Sequence, residues 1–438
     1  MTGLARNPMP LITQLRQSIP DALRHSQVPR EWLGRLLRIR GSLGGQTEKA
    51  TSRLFKAYYH SEKTTNLAPL ARRIQPVVRA GHLAPLNPPR RIEVSRTLLV
   101  KAPGPDGERG VILSYFEYNW HRLLHGISDW EAFSKKYTLV LLPSWSPTNY
   151  EILAHLAART PDGVPLYLQP ANHREREKLA TFHQSLRLVD GLACDWVDPR
   201  YFEPLPWEQR DIDLLVVSNW APFKRHWELF HTLSRMPANL RVTCVGQPDS
   251  GKTLADIRAL QRSFRAPQSI EYLESIPIDQ VTALQCRAKV SALFSRWEGG
   301  CVAAVETLMA GAVLAMRDDA RIGARAHVNS ETGVTFLRHN APDALMRALE
   351  TGSQLNPRQW AIDHISSDLT MSRLNEQLKS DSLKSGLPWT EDLAAMCYRP
   401  YLNFSDQTAY ERLAPAAAEL HDRYPLLFAE GWLESAKK

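Results

Sequence analysis

The sequence has 438 residues, of which 43% are hydrophobic and 23% charged, and its formal net charge is +8. This length predicts two or three domains, and the balanced composition excludes a disordered or fibrous chain. No apolar run approaches the ~20 residues that span a bilayer, and the first residues lack a signal-type hydrophobic segment. We therefore expect a folded protein of enzyme size that stays in the cytoplasm.

The basic charge is concentrated near the N-terminus. Residues 1–110 contain 19 Lys and Arg against 7 Asp and Glu, a net charge of +12, so the rest of the chain sums to −4. Such a surface attracts anionic lipid headgroups, a phosphorylated acceptor or nucleic acid, or it is only a solvated face. We expect no nucleic-acid partner and leave open peripheral contact with the inner face of a membrane.

Residues 1–90 are predicted to form a helical N-terminal extension. Within it, residues 30–40 (REWLGRLLRIR) can place one broad apolar face against arginines, as in an amphipathic helix. The residues of that face are Trp32, Leu33, Leu36, Leu37 and Ile39. A helix of this kind either covers a domain core or lies on a membrane, and we favour the first interpretation.

Residues 91–205 are predicted to form a first Rossmann-like domain, because alternating strands and helices imply a parallel sheet. Ligands of such sheets bind beyond the carboxyl ends of the strands. The segments expected there, 117–121, 144–146 and 169–173, are rich in aromatic and hydrogen-bonding side chains, as a ligand pocket requires. The candidate pocket residues are Asn119, Trp120, His121, Trp145 and His173, with His121 also a catalytic candidate.

The rhythm of strands and helices restarts after a linker and predicts a second Rossmann-like domain over residues 206–355. A helical C-terminal tail, residues 356–438, is expected to pack back on the first domain. Five cysteines, an odd number without a Cys-x-x-Cys pair, argue against disulfides and a zinc site. Residues 211–213 spell Asp-Ile-Asp, a pattern that binds a metal in some enzymes, but they stand before their strand. We therefore expect no metal.

Residues 290–316 (VSALFSRWEGGCVAAVETLMAGAVLAM) are predicted as strand, loop, helix and strand. The apolar runs at both ends suit strands buried on both faces, and a glycine follows the helix where a left-handed cap is wanted. Glu298 stands in the loop, and Glu306 lies about two helical turns beyond it. The amides of residues 299–301 fall at the positive, unsatisfied end of the helix dipole, which is a ready site for a diphosphate.

The pattern Glu-Gly-Gly-x5-Glu, followed by x-x-Met-Ala-Gly, resembles the signature of retaining glycosyltransferases of the GT-B fold, family 4 in the usual classification. The resemblance extends over residues 212–349. It implies an α/β fold of two Rossmann-like domains that face a central cleft. It also implies transfer of a sugar from a UDP- or GDP-linked donor to a hydroxyl of a glycan, lipid-linked or small-molecule acceptor, without a cofactor or metal.

The resemblance also implies roles for individual residues, and it makes the pocket residues of the first domain acceptor-side candidates. Glu298 would contact the donor sugar, and Glu306 would hold the ribose hydroxyls. The diphosphate would lie on the amides of Gly299, Gly300 and Cys301.

Cations for the diphosphate are expected after the predicted strand 214–217. Lys224 matches the lysine of the family, and a fixed cation there would stabilise the charge of the leaving diphosphate. Asn219 stands where the family has an arginine, so Arg225 is the candidate substitute, and Gly246 falls at the family's Val-Gly-x-Gly position. Asn219 leaves two interpretations open, an altered transferase and a non-catalytic GT-B scaffold for another transferase.

A second motif competes with this interpretation. Residues 246–253 spell G-x-x-x-x-G-K-T after a predicted strand and before a helix, which is the context of a P-loop NTPase or kinase. In that case Lys252 would reach the phosphates of a nucleotide. The match falls inside the block that the glycosyltransferase resemblance already covers, and no clean Walker-B strand follows. We therefore expect Lys224, and not Lys252, to be the catalytic lysine.

Overall fold

The computed structural model describes residues 27–45, 47–60, 68–72, 96–144, 150–400, 402–405, 408–425 and 427–428, with the single positions 15 and 19. The chain divides into two compact units. Unit A comprises residues 1–29 and 199–364, and unit B comprises residues 30–198 and 365–438.

Unit B is built on a five-stranded sheet in the order β1-β2-β3-β4-β5, parallel except for the antiparallel edge strand β1. Its first three strands are buried on both faces, as continuous apolar runs allow. The strands are β1 (Thr97–Lys101), β2 (Gly110–Tyr115), β3 (Tyr137–Leu142), β4 (Leu166–Leu168) and β5 (Leu186–Leu188). The helices described up to residue 180 are α1 (Gln27–Leu43), α2 (Glu48–His60), α3 (Ala68–Ala71), α4 (Glu117–Gly126), α5 (Trp130–Lys136), α6 (Tyr150–Arg159) and α7 (His173–Ala180).

Unit A contains a six-stranded, wholly parallel sheet in the order β8-β7-β6-β9-β10-β11. The chain runs from the middle strand β6 to one edge and then crosses to β9 on the other side, which is the Rossmann order with its switch point between β6 and β9. The strands are β6 (Ile212–Val217), β7 (Val242–Gly246), β8 (Ile270–Glu274), β9 (Ala288–Leu293), β10 (Val313–Arg317) and β11 (Gly333–Phe336). The helices that follow residue 225 are α8 (His226–Leu233), α9 (Leu254–Phe264), α10 (Ile278–Arg287), α11 (Val302–Met309), α12 (Ala341–Thr351) and α13 (Pro357–Ile365).

The C-terminal segment completes the core of unit B. It contributes α14 (Ser367–Lys384), a short hairpin of β12 (Met396–Cys397) and β13 (Asn403–Phe404), and α15 (Thr408–Arg423). The apolar side chains of these elements join the same hydrophobic cluster as strands β1 to β3. The predicted α/β class, with two mainly parallel Rossmann-like sheets and a helical N-terminal part, is confirmed.

Two local predictions are wrong. Residues 117–121 form the first turns of α4, and not a loop, because the chain turns sharply at Phe116 (φ 65°) directly after β2. Helix α1 does not cover a core with its large apolar residues, since Trp32, Leu36 and Ile39 are 53–60% exposed.

No helix among the described residues is long and apolar enough to cross a membrane.

The β1–β2 hairpin of unit B contains a buried ion pair, and Thr390 of the C-terminal segment bonds to its carboxylate. Lys101 Nζ lies 2.6 Å from Glu108 Oε1, and both side chains are at most 1% exposed. The amide and the hydroxyl of Thr390 also donate to the Glu108 carboxylate, each at 2.6 Å. Burial by itself raises the pKa of Glu108, but the hydrogen bonds from Lys101 and Thr390 outweigh it and hold that pKa below its usual value.

We predict that Glu108→Ala lowers the free energy of unfolding by about 3–5 kcal/mol, because it leaves Lys101 buried without its partner. Glu131→Ala is the control, since the Glu131–Lys135 pair is exposed, and it should leave denaturant unfolding nearly unchanged. The stabilisation by Glu108 is present above its unfolded pKa of about 4.3 and is lost as the pH falls through its lower folded pKa. Equal stability of the Glu108→Ala variant and the wild type would contradict this assignment.

Candidate functional site

The candidate site lies at the switch point of the unit A sheet, where the loops after β6 and β9 meet. These strands are neighbours, so their carboxyl ends open at the same edge. Lys224, from the first loop, donates to Glu298 Oε2 of the second at 2.6 Å. Their side chains are only 12% and 8% exposed. Two residues that are 74 positions apart in the sequence thus form one charged centre.

Both partners keep capacity to bind a ligand. The Lys224 ammonium has three N–H donors, and Glu298 takes one of them. The other carboxylate oxygen, Glu298 Oε1, is buried and accepts no hydrogen bond from the described residues. Burial by itself lowers the pKa of Lys224, but the charges nearby, chiefly Glu298, outweigh it and raise that pKa above its usual value. The lysine is therefore a permanent cation beside a carboxylate oxygen that lacks a partner.

The start of α11 adds backbone donors to this centre. The carbonyls of Gly299 and Gly300 accept from the amides of Gly323 and Ala324 at 2.8 and 2.9 Å, which fixes the loop. The amides of residues 299–301 donate no hydrogen bond to the described part of the chain. They stand at the positive end of an eight-residue helix, an arrangement that suits an anion.

Cys301 marks the turn into α11. Its φ of 64° is left-handed, a conformation that costs a non-glycine residue of order 1–3 kcal/mol and often marks a functional site. Burial, together with the charge of Glu298, raises the pKa of its thiol to about 12. The thiol therefore stays protonated at neutral pH, and Cys301 is not an activated nucleophile.

Glu306 lies deeper in the same helix. It is 5% exposed, and Gln285 Nε2 of α10 donates to its Oε2 at 3.3 Å. Gln285 Oε1 is buried and has no hydrogen-bond partner among the described residues. A carboxylate next to an amide with a free oxygen suits a pair of hydroxyl groups. Sequence reasoning missed Gln285, because nothing in the amphipathic pattern of α10 distinguishes it.

Asn219 stands where the family that the sequence resembles has an arginine. Its side chain is neutral and is held by neighbouring residues. Its amide nitrogen donates to the carboxylate of Asp249, and its oxygen accepts from the amide of Ala221 at 3.3 Å. The position thus holds a carboxylate near Lys224, which contributes to the raised pKa of that lysine.

Arg225 does not replace the missing arginine, contrary to expectation. Its backbone is left-handed (φ 60°), and its guanidinium is buried, where it donates to Glu228 at 2.9 Å. Glu228 is fully buried and also binds Arg317, at the end of β10. This network of Arg225, Glu228 and Arg317 supports the Lys224 turn from inside the unit.

The other end of the Lys224 loop is closed by hydrogen bonds and aromatic packing. Ser218 Oγ lies 3.2 Å from His226 Nε2, and the ring of Trp220 packs edge-on against His226. Burial, reinforced by the nearby charge of Lys224, lowers the pKa of His226 to about 3, so the imidazole is neutral. A Cβ on Gly246 would lie 2.3 Å from the carbonyl oxygen of Ser218, which explains the glycine by close packing of the loops.

Residues 246–253 do not form a phosphate cradle. The backbones of Asp249 and Lys252 bond to each other at 2.9 and 3.2 Å across a tight turn, with both central residues at positive φ. The amide of Thr253 donates to Asp256 in a capping box of α9. The amides of Asp249, Lys252 and Thr253 are therefore used internally and are not directed at a phosphate, and Lys252 pairs with Asp256 at 3.3 Å.

The Asp-Ile-Asp pattern also has a structural explanation. Asp211 pairs with Arg287 at 2.6 Å, and Asp213 pairs with Arg241 at 2.8 Å. Both carboxylates lie at the amino end of β6, opposite the edge that carries Lys224.

The acceptor-side candidates are in unit B, and two of them have structural contacts. The amide nitrogen of Asn119 donates to the carbonyl of Tyr115 at 2.6 Å. Trp120 is 2% exposed, and its indole N–H donates to the carbonyl of Ser114 at 3.0 Å, so its one polar atom is used. His121 is 5% exposed within the same helix α4.

The remaining two candidates are not buried residues of α4. His173 is the exposed first residue of α7, directly after the N-cap Asn172. Trp145 lies outside the described residues.

Comparisons with known proteins give likenesses to solved structures only, since no family model and no curated protein matches. Sucrose-phosphate synthase from Thermosynechococcus elongatus is 14% identical, with 62% of this chain and 74% of that chain covered and a TM-score of 0.47. The Anabaena protein HepE in complex with UDP is 15% identical, with 61% and 78% covered and a TM-score of 0.49. The lipopolysaccharide outer core galactosyltransferase WaaB is 16% identical, with 57% and 70% covered and a TM-score of 0.44.

WaaB is a glycosyltransferase by name, the class whose motif this sequence resembles. At TM-scores below 0.5, no residue's role is carried over from these structures. The roles of the site residues are therefore argued from the contacts within this chain.

We predict that Glu228→Gln destabilises unit A by about 3–5 kcal/mol, because Arg225 then loses its buried carboxylate partner and Arg317 keeps only its ion pair with Asp319. Asp211→Asn is the matched control, since Asp211 is 48% exposed and its ion pair faces solvent. The stabilities of the two variants are compared with that of the wild type by thermal and denaturant unfolding. If both variants unfold like the wild type, the buried network does not support the Lys224 turn.

Proposed function

We propose that this protein transfers a hexose-type sugar from a UDP- or GDP-linked donor to a hydroxyl acceptor, with retention of configuration. The acceptor is a glycan, a lipid-linked molecule or a small alcohol. The observation that carries the proposal is the Lys224–Glu298 ion pair beside the free amides of residues 299–301, at the switch point of a Rossmann sheet. A cation, a helix N-terminus and a carboxylate with a free oxygen suit a diphosphate linked to a sugar.

In the proposed complex the diphosphate lies on the amides of residues 299–301 and accepts from the two remaining donors of Lys224. The free Oε1 of Glu298 accepts a hydrogen bond from a hydroxyl of the donor sugar. Glu306 and Gln285 bind the hydroxyls of the ribose. Every one of these groups comes from unit A.

The transfer step needs no protein nucleophile in this scheme. The bond between the anomeric carbon and the diphosphate oxygen breaks, and the acceptor oxygen bonds to the same face of that carbon. The acceptor proton passes to an oxygen of the leaving diphosphate, which serves as the base. Lys224 and the amides stabilise the negative charge as it grows on the leaving group, so their effect is largest in the transition state. The scheme uses no metal.

One observation favours a second candidate function, a non-catalytic scaffold for another transferase. Asn219 holds Asp249 where the family motif has a cation, so a bound diphosphate would meet a carboxylate. Hydrolysis of the donor separates the two functions. Slow release of nucleotide from a nucleoside diphosphate sugar, above an enzyme-free blank, supports the transferase. Binding of the nucleoside diphosphate sugar without hydrolysis to free nucleotide supports the scaffold.

We predict that Glu306→Gln weakens donor binding roughly 10- to 150-fold, because a charge-assisted hydrogen bond is worth about 1.5–3 kcal/mol. Glu350→Gln on the exposed face of α12 is the control and should bind like the wild type. Isothermal titration with UDP and GDP measures both. Unchanged affinity in Glu306→Gln would assign Glu306 a structural role.

The two lysines give the sharpest test of the alternatives. Lys224→Ala should abolish most transfer while the fold stays intact, because its cation acts chiefly on the charge of the transition state. Lys252→Ala should cost far less, since Lys252 is 46% exposed and pairs with Asp256. Initial rates of donor turnover and a thermal unfolding scan are measured for both variants. If the Lys252→Ala variant is inactive and the Lys224→Ala variant is active, the glycosyltransferase proposal is wrong.

A further inference from the structure

Helix α1 contacts the rest of unit B through its small residues. Gly34 and Gly41 are buried, and a Cβ on Gly41 would lie 2.7 Å from a side-chain atom of Leu54 in α2. Five large apolar side chains of α1 are instead 44–82% exposed, whereas Leu37 is half-buried. We call this set the α1 outer face; it consists of Trp32, Leu33, Leu36, Ile39 and Leu43.

The outer face is a continuous stripe and not a scatter of single residues. Trp32, Leu36, Ile39 and Leu43 follow one another at spacings of four, three and four, which places them in line along one side of a helix. That side is opposite the one that carries the two buried glycines. A contiguous apolar stripe of this kind on a soluble surface marks an interaction site.

Arginines border the stripe. At 3.6 residues per turn, Arg35 and Arg40 fall on its two sides, and both are exposed. The guanidinium of Arg35 lies 5.5 Å from the ring centroid of Trp32. Residues 27–60 contain seven Lys and Arg against two Asp and Glu, a net charge of +5. Exposed Lys49 and Lys56 of α2 belong to this count.

We propose that the α1 outer face binds the surface of an anionic lipid bilayer, with the helix in the plane of the headgroups. The stripe would enter the boundary between headgroups and acyl chains, where a tryptophan is favoured, and the bordering arginines would pair with lipid phosphates. Charge complementarity selects this occupant over a second copy of the chain. An isologous contact would bring two sets of arginines with the same charge together.

The test uses the full chain and sedimentation with vesicles. The vesicles contain phosphatidylcholine alone or an equimolar mixture with phosphatidylglycerol. We expect binding to the mixed vesicles that falls with added salt, and little binding to phosphatidylcholine alone. Arg35→Gln/Arg40→Gln should weaken binding about 30-fold, at roughly fivefold for each arginine. Trp32→Gln/Leu36→Gln/Ile39→Gln should weaken it by about 10-fold or more.

Leu383→Gln is the matched control, because Leu383 is a 55% exposed leucine of a different helix, α14, and this variant should bind like the wild type. Lys224→Ala should also bind vesicles normally, so a failure of the proposed transferase function would not be mistaken for a failure of this proposal. Circular dichroism should be the same for all variants, and thermal unfolding should be the same for the α1 and Leu383 variants; Lys224→Ala lowers the Tm because it leaves Glu298 buried without its partner, and its vesicle binding is measured below that Tm. Absence of binding to the mixed vesicles overturns the proposal, as does equal binding by the stripe variant. Self-association by light scattering that the stripe variant abolishes, without any lipid binding, would assign the face to a second copy instead.

Discussion

The ion pair between Lys224 and Glu298 is the interaction on which the candidate site depends. It exists because β6 and β9 are neighbours at the switch point of a Rossmann sheet, so that loops from distant parts of the sequence meet. A buried lysine and a buried glutamate are each costly alone, and the pair makes both tolerable. Around the pair, the free amides of residues 299–301 and the unpaired Glu298 Oε1 leave hydrogen-bonding capacity that the described residues do not use.

The charge balance around this pair is unusual for a diphosphate site. Lys224 is opposed by Glu298 and, through Asn219, by Asp249, while Arg225 and Arg317 pair internally with Glu228, and Arg317 also pairs with Asp319. Under the proposed function, the backbone amides and the dipole of α11 would therefore carry more of the anion stabilisation than in the family that the sequence resembles. Fixed amides cost no reorganisation when charge develops, so such a site can still be catalytic.

The sequence was sufficient for the sheets and for the local motif. Strands buried on both faces read as apolar runs, so the strands and the strand, loop and helix around Glu298 could be predicted, while Glu298, Glu306 and Lys224 were singled out by the family resemblance. The direction of Arg225 could not, because it is set by a left-handed turn and by Glu228 and Arg317, the latter 92 positions from Arg225. Asn119 and Trp120 were assigned to a pocket since the pattern after β2 does not reveal that a helix begins at once. The outward orientation of α1 was also hidden, because composition alone does not say which face of a helix is buried.

Thermal unfolding of the pure protein with a panel of nucleotides tests the central claim most directly. A ligand that binds the folded state at a hundred times its Kd stabilises it by about 2.7 kcal/mol, a shift that such a measurement resolves. We expect UDP or GDP to raise the Tm and ATP with magnesium to leave it unchanged. Stabilisation by ATP with magnesium alone, and by neither UDP nor GDP, would contradict the assignment of the Lys224–Glu298 centre as a nucleotide-sugar site.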